Sequence, residues 1–185
     1  MKKWVATVLA LVMALSVTTM AWAEGNWTGS GTEADPYVIT TEAGLNKLAT
    51  DVNNGTVYCD TYFKLGASIT VTDWTPIGQK GSDNKFAGTF DGNGQTVTIN
   101  GINSGLGSAF DGYAGFFGAV KGATIKNLTV AGTISGSDVA GVVARLDGAS
   151  KVINCINKAN VTGTSKAAGI TVKIDGTNVV IDDCT

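Results

Sequence analysis

Three short motifs recur in the second half of the chain at intervals of 26 to 29 residues. The first is Ala-Gly followed by an apolar residue, and it starts at residues 114, 140 and 168. The second is Ile-Lys-Asn-Leu, which returns as Val-Ile-Asn-Cys and Ile-Asp-Asp-Cys and starts at residues 125, 152 and 181. A third motif, 130–136, returns at 157–163. A fixed period of this length indicates a solenoid, in which stacked repeats share one core.

Each period contains two or three short runs rich in Thr, Val and Ile, separated by Gly or Asn. Such runs predict strands, and one coil of a parallel β-helix for each period. The clearest predicted strands are 68–72, 96–100, 124–130, 151–156 and 178–182. The alternative is a sandwich of hairpins, which predicts turns every 8–12 residues but no long period. A doubly wound α/β sheet is excluded because no amphipathic helices alternate with the strands.

One helix is predicted near the start of the chain. Thr41 is a plausible N-cap, and Leu45, Leu48 and Val52 fall on one helical face. An Asn-Gly pair at 54–55 favours the positive φ angles that end helices. Because exposed strand edges promote aggregation, we expect this helix to cap the N-terminal end of the solenoid.

The first 23 residues have the pattern of a secretory signal peptide. Two lysines precede an apolar run at 4–17, and the Ala21-Trp22-Ala23 sequence fits the cleavage rule after Ala23. The run is short for a membrane span, although an uncleaved anchor helix is the alternative. The predicted divisions are a signal peptide at 1–23, a cap region at 24–66 and β-helix repeats at 67–185. The sequence thus predicts a secreted or cell-surface protein with no membrane span after cleavage.

Composition excludes several classes of function. The 185-residue chain contains no histidine, which removes Ser-His-Asp catalysis, Cys-His catalysis and histidine metal sites. A formal net charge of −2 argues against nucleic-acid binding, which needs a basic excess. The acidic residues are scattered singly, and adjacent Asp182 and Asp183 would face opposite sides of a strand. The sequence predicts no catalytic residue, no cofactor and no metal.

Several segments resemble the large exported bacterial surface proteins that carry GLUG repeats. The segments are 31–40, 74–78, 86–94, 115–118 and 125–130. The resemblance implies a right-handed parallel β-helix at the cell surface and is not specific for an activity. The metallopeptidase motif H-E-x-x-H, found beside such repeats, is absent.

Two loops raise alternative interpretations. The sequence Asp-Gly-Asn-Gly at 91–94 offers oxygens for Ca²⁺, but it is also a strong tight-turn signal. Arg145 and Asp147 are expected to form a solvated corner ion pair.

Two sets of side chains are candidates for a binding surface. Trp27, Tyr37, Trp74 and Tyr113 could stack on sugars, or they could pack in the core and cap. Thr70-x-Thr72 and Thr96-x-Thr98 repeat at an interval of 26 and suggest a threonine array for ice or mineral binding. That array then fails at Thr124-x-Lys126 and Ser150-x-Val152. Threonine is also simply favoured in strands.

Cys155 and Cys184 occupy equivalent repeat positions. Adjacent coils about 4.8 Å apart would permit a disulfide between them. The alternative is an inward ladder of small apolar side chains continuing from Leu128. Cys59 has no obvious partner.

These observations predict a non-catalytic, exported or cell-surface β-solenoid that serves as a stalk or adhesion module. Its partners would be surface glycans or host matrix. The alternatives are a carbohydrate-active β-helix, a polysaccharide lyase or hydrolase whose catalytic residues are missing or lie beyond residue 185, and a self-assembling secreted protein. The sequence stops within the third repeat, so we expect either a chain cut short or an open C-terminal edge that self-associates.

Overall fold

The computed structural model describes residues 27–79, 81, 83–103, 105 and 112–185. The predicted signal peptide and its cleavage after Ala23 lie outside these residues. Strands dominate the described chain, and they form parallel sheets. The fold is a parallel β-helix of about five coils with one short helix near the N-terminus, which confirms the predicted fold class.

The strands wind around three faces. In chain order the elements are β1 (Tyr37–Ile39), α1 (Glu42–Asn53), β2 (Tyr62–Leu65), β3 (Ile69–Trp74), β4 (Thr89–Asp91), β5 (Thr96–Ile102), β6 (Tyr113–Ala114), β7 (Phe117–Lys121), β8 (Thr124–Lys126), β9 (Thr129–Ala140), β10 (Val143–Asp147), β11 (Lys151–Ile153), β12 (Ile156–Ala168), β13 (Lys173–Ile174) and β14 (Val180–Asp182). Sheet A has the order β1-β2-β4-β8-β11-β14. Sheet B has the order β3-β5-β9-β12, with β6 also pairing with β9, and sheet C has the order β7-β10-β13.

The sequence repeats stack in register. Val152 of the second motif pairs with Ile125 on one side and with Ile181 on the other. The Ala-Gly motifs stack likewise, since Phe116 N donates to Gly141 O and Gly141 N donates to Ala168 O. The period found in the sequence is therefore the coil of the β-helix.

A continuous apolar core runs along the axis. On sheet A, the inward side chains of Phe63, Phe90, Ile125 and Val152 stack from coil to coil and are at most 1% exposed. Each of these side chains contributes about 1.5–3 kcal/mol on burial. No single coil could bury its inward face without the next one.

Left-handed asparagines make one corner of the solenoid. Asn127 and Asn154 have φ angles of 53° and 50°, which separate β8 from β9 and β11 from β12. The predicted strands 124–130 and 151–156 were therefore wrong as continuous strands. The amides also form a ladder along the axis: Asn154 Nδ2 donates to Asn127 Oδ1 at 2.9 Å, and Asn127 Nδ2 donates to Asp91 Oδ1 at 3.0 Å.

Helix α1 forms as the sequence predicts. Thr41 is the N-cap, and its Oγ1 accepts a hydrogen bond from Gly44 N at 3.1 Å. Leu45, Leu48 and Val52 are fully buried against the solenoid core. Apolar burial therefore fixes the helix on the first coils, with its polar side outward.

Two side chains of α1 satisfy backbone groups of the first coils. Glu42 Oε1 accepts from Thr72 N at 2.8 Å, on the strand that ends sheet B. Asn53 Oδ1 accepts from Gly78 N at 2.9 Å, and its Nδ2 donates to Pro76 O at 3.0 Å. The helix thus caps the N-terminal end by hydrogen bonding as well as by apolar contact. Strands β1 and β2, inside the predicted 24–66 cap region, already belong to sheet A.

At its other end, the described solenoid finishes with a coil that exposes apolar side chains. Strands β12, β13 and β14 each end their sheets. Their coil exposes Ile174, Val180 and Ile181 by 49%, 40% and 42%. The unpaired backbone groups there are of the kind that accept another strand.

The corner ladder predicts that two substitutions of Asn127 lower the free energy of unfolding by different amounts. Asn127→Ala removes two side-chain hydrogen bonds and forces a residue with a Cβ but no amide into the left-handed region. We expect a loss of about 1–3 kcal/mol in the free energy of unfolding. Asn127→Gly keeps the corner conformation and should lose about 1 kcal/mol less. Urea unfolding measures both.

Asn160→Ala is the matched control, because Asn160 is an exposed asparagine on sheet B. Its expected change is within about 0.5 kcal/mol. Equal stability of Asn127→Ala and the unaltered protein would contradict the ladder's role.

Candidate binding surface

The outer face of sheet B presents a regular array of short polar side chains, here called the Thr/Asn face. One row pairs Thr72 with Asn100, Asn100 with Thr133, and Thr133 with Asn160. The neighbouring row pairs Thr70 with Thr98. The face is defined by Thr70, Thr72, Thr98, Asn100, Thr133 and Asn160. Successive members of a row lie about 4.8 Å apart, the spacing of paired strands.

Alternation along the strands turns the side chains of this face outward. Val71, Ile99, Val97 and Val130 point inward and are completely buried. Their neighbours in sequence must therefore point outward, since side chains alternate across a strand. The six side chains carry hydroxyls and amides and no charge, so the face can both donate and accept hydrogen bonds.

The register of this face corrects the sequence-based threonine array. The interval of 26 aligned Thr70 with Thr96, but Thr70 pairs with Thr98 and Thr72 pairs with Asn100. Thr124, which was taken as the next member, lies on sheet A. The true continuation of the Thr72 row is Thr133 and then Asn160. The sequence interval was wrong because the coils differ in length.

The predicted aromatic surface does not assemble. Trp74 is fully buried, where its ring stacks on Phe116 with centroids 5.4 Å apart and its Nε1 donates to Phe116 O at 3.1 Å. Tyr113 is 3% exposed and packs beside Ala140. Neither ring can stack on a sugar, so this candidate surface was wrong for both. Core packing, the alternative, describes them.

Trp27 and Tyr37 do lie together, with ring centroids 5.3 Å apart. Both are half-buried against the core, and the Trp27 ring meets the edge of Phe63 at 5.0 Å. Trp27 Nε1 donates to Gly44 O at 3.0 Å, which ties the N-terminal segment to α1. These two rings hold the cap in place.

The Asp-Gly-Asn-Gly segment is a tight turn. Asn93 and Gly94 have φ angles of 52° and 72°, and Gln95 N donates to Gly92 O at 2.8 Å. Asp91 belongs to the corner ladder, because its Oδ1 accepts from Asn93 N as well as from Asn127.

Burial alone would raise the pKa of Asp91. The hydrogen bonds from the Asn127 side chain and Asn93 N, together with Lys126 at 3.5 Å, hold that pKa below its usual value. The carboxylate is thus stabilised by the corner that it supports. Among the described residues, no group of three or more His, Cys, Asp or Glu side chains is placed to hold a metal ion.

The Arg145–Asp147 pair is packed rather than solvated, contrary to expectation. Arg145 Nε lies 2.9 Å from Asp147 Oδ1, and the two side chains are 19% and 11% exposed. Lys85 Nζ adds a second contact to Asp147 at 3.0 Å, and Arg145 also reaches Asp175 at 3.0 Å. Lys85, the Arg145–Asp147 pair and Asp175 lie on different coils, so the network braces this side of the solenoid along its axis.

The three cysteines are free, and no disulfide joins Cys155 to Cys184. Their coils stack in register, since Ile156 N donates to Leu128 O and Thr185 N donates to Cys155 O. Cys155 is fully buried, and burial raises the pKa of its thiol to about 11. The two thiols continue the inward ladder from Leu128, which was the alternative to the disulfide. Cys59 is exposed.

A polar groove of about 420 Å³ lies between α1 and β3, and it is here called the α1–β3 groove. Its polar lining is Asn46, Thr50, Asn53, Asn54, Thr72, Asp73 and Thr75. Sequence reasoning missed this site. The available signal was Asn46 and Thr50, which lie four residues apart and so share a face of the helix.

Comparison with known proteins gives two distant similarities. The chain is 29% identical over 169 residues to halomucin of Haloquadratum walsbyi, an alignment that covers 87% of this chain and 2% of halomucin. It is 31% identical over 113 residues to a putative Gly-rich membrane protein of Evansella cellulosilytica, covering 56% of this chain and 12% of that protein. The chain therefore spans a small fraction of either protein. No family model and no solved structure matches the sequence.

Within the described part of the chain, no helix has the length and apolar character needed to cross a membrane.

The environments of the cysteines predict their order of reaction with a thiol reagent. At pH 8 we expect Cys59 to be labelled by iodoacetamide within minutes, Cys184 more slowly, and Cys155 only after unfolding. Peptide mass spectrometry of labelled native protein gives the three rates. Rapid native labelling of Cys155, or a Cys155–Cys184 disulfide in the purified protein, would contradict the buried ladder.

Proposed function

We propose that this chain is a non-catalytic β-solenoid module of an exported or cell-surface protein, where it serves as a stalk or adhesion module. Its partners are surface glycans or host matrix. The resemblance to GLUG-repeat surface proteins is part of the same proposal.

The observation that carries the proposal is the Thr/Asn face. Four strands present uncharged hydrogen-bonding side chains at regular intervals, and buried Val and Ile side chains fix their backbone. Such a face contacts an extended, hydroxyl-rich partner at many weak points. Summed contacts of this kind give adhesion without a deep pocket.

The location rests on two further lines of support. The N-terminal residues have the composition of a signal peptide. One similar protein is named a membrane protein, and both similar proteins are much longer than this chain. A solenoid that forms one part of a long surface protein would supply length and a broad lateral face.

The non-catalytic assignment rests on how the titratable groups are used. Asp91 supports the corner ladder, and Asp147 is held by Arg145 and Lys85. Glycoside hydrolysis needs two carboxyl groups facing one substrate, about 5–10 Å apart, one of which stays protonated. Asp91 and Asp147 are instead occupied in bracing the coils.

Two substitutions on the Thr/Asn face test adhesion. Asn100→Lys combined with Thr133→Lys puts two bulky charges at the centre of the Thr72 row. We expect at least a fivefold loss of binding of the purified protein to glycan-coated or matrix-coated beads, with no sugar product released by the unaltered protein. Fluorescence of bound protein and a reducing-sugar assay provide the measurements.

Thr89→Lys combined with Thr124→Lys is the matched control, since this pair lies on the outer face of sheet A. The control should bind as the unaltered protein does. Equal losses from both double variants, or release of reducing sugar, would defeat the proposal.

A second candidate function is self-assembly, which the exposed apolar side chains along the outer edge of the last described coil favour. Ile174, Val180 and Ile181 are the exposed large apolar side chains of the described chain.

Association through this edge predicts a concentration-dependent size. Sedimentation velocity between about 1 and 200 µM should show a dimer forming, and Ile181→Lys should abolish it by placing a charge at the contact. Thr133→Lys, an exposed change on β9 inside sheet B, is the control. A monomer across this range, or equal association of both variants, would rule out self-assembly through this edge.

A further inference from the structure

We propose that the α1–β3 groove binds a segment of a neutral oligosaccharide, a ligand class that rests on and deepens the proposed adhesion function. The groove lies where the Thr/Asn face meets the helix, and Thr72 belongs to both.

The lining offers hydrogen-bonding groups that the fold does not use. Asn46, Thr50, Asn54 and Asp73 line the groove and are exposed, and their side chains make no hydrogen bond within the described part of the chain. Amides, hydroxyls and one carboxylate can between them donate to and accept from sugar hydroxyls. A carboxylate is the strongest of these acceptors, because charged hydrogen bonds are about twice as strong as neutral ones.

The backbone conformation at Asp73 does not require an aspartate at this position. Its φ angle is 50°, in the left-handed region, and it makes Thr72 and Asp73 both face outward before Trp74 turns inward. In the next coil, the residue between the partners of Thr72 and Trp74 is Gly101, with φ 89°. Glycine adopts this conformation without strain. The side chain of Asp73 therefore adds something other than the turn.

Hydrogen bonds hold the two walls of the groove together. Glu42 accepts from Thr72 N at 2.8 Å, and Asn53 bonds to Pro76 and Gly78 at its other end. These contacts tie α1 to the first coils on each side of Asp73. Because the backbone of both walls is held in place, binding of a sugar has to order only the lining side chains themselves.

The charge of the lining selects a neutral sugar. Among the described residues that line the groove, Asp73 is the charged one and none is Lys or Arg. Glu42 lies beside it, with an oxygen on Thr72 N. An acidic sugar would meet repulsion from both carboxylates and no compensating cation. A neutral chain could leave the groove at Thr72 and continue over Asn100 and Thr133.

The test is titration of the purified protein with cellohexaose, mannohexaose and N,N′-chitohexaose, with hexagalacturonate as the acidic counterpart. NMR saturation transfer detects binding, and calorimetry gives the dissociation constant. We expect at least one neutral hexasaccharide to bind at least tenfold more tightly than hexagalacturonate.

Asp73→Gly separates binding from folding. It removes the carboxylate and keeps the left-handed turn, so urea unfolding should be about unchanged while the dissociation constant rises at least tenfold. Asp60→Gly is the matched control, because Asp60 is also exposed and left-handed, with φ 55°, and does not line the groove. It should bind normally. Thr50→Val, which removes a hydroxyl from the exposed side of α1, should weaken binding about threefold.

Absence of binding by all three neutral sugars, or equal affinity of Asp73→Gly and the unaltered protein, would contradict the proposal that the groove binds a neutral oligosaccharide. A failure of the proposed adhesion function can be told apart from a failure of the groove proposal. If bead adhesion depends on Asn100 and Thr133 while no hexasaccharide binds, the groove proposal falls and adhesion stands. If hexasaccharides bind through Asp73 while beads do not, the adhesion proposal falls.

Discussion

The stacking of inward side chains from one coil to the next is the contact on which the whole structure depends. Phe63, Phe90, Ile125 and Val152 form one such column, and each is buried by its neighbours above and below. A coil on its own would leave its apolar side in water, so its strands gain stability only as part of a stack. Every other feature, including the flatness of the outer faces, follows from keeping these columns in register.

The corners keep that register. A left-handed residue lets the chain turn in one step without moving the next strand out of phase with the core. Asparagine serves here because it tolerates positive φ and its amide reaches along the axis to the next corner. The same side chain thus sets the local turn and ties coil to coil. Asp91 starts this ladder, which explains why its carboxylate is paired although the turn beside it is exposed.

Much of the fold could be predicted, because the sequence period is the structural period and the helix carries its own N-cap, apolar face and stop. The arrangement of residues on the surface could not be predicted. Ile99 pairs with Gly132, a longer interval than that between Thr70 and Thr98, and both are longer than the interval of 26 found in the sequence. A constant spacing therefore misaligns the outward residues of sheet B. The inward direction of the Trp74 side chain could not be predicted either, because it depends on the left-handed turn at Asp73 rather than on alternation along the strand.

Repetition and recognition make opposite demands on such a chain. Identical coils yield outer faces without recesses. On such a face the protein contacts a ligand from one side only, and each contact is weak. A concave site needs a departure from the repeat, and α1 is the largest departure in the described chain. By standing beside β3, the helix adds a second wall to a face that is otherwise flat. The element that closes the end of the solenoid is therefore also the element that gives its polar face a place for a specific ligand.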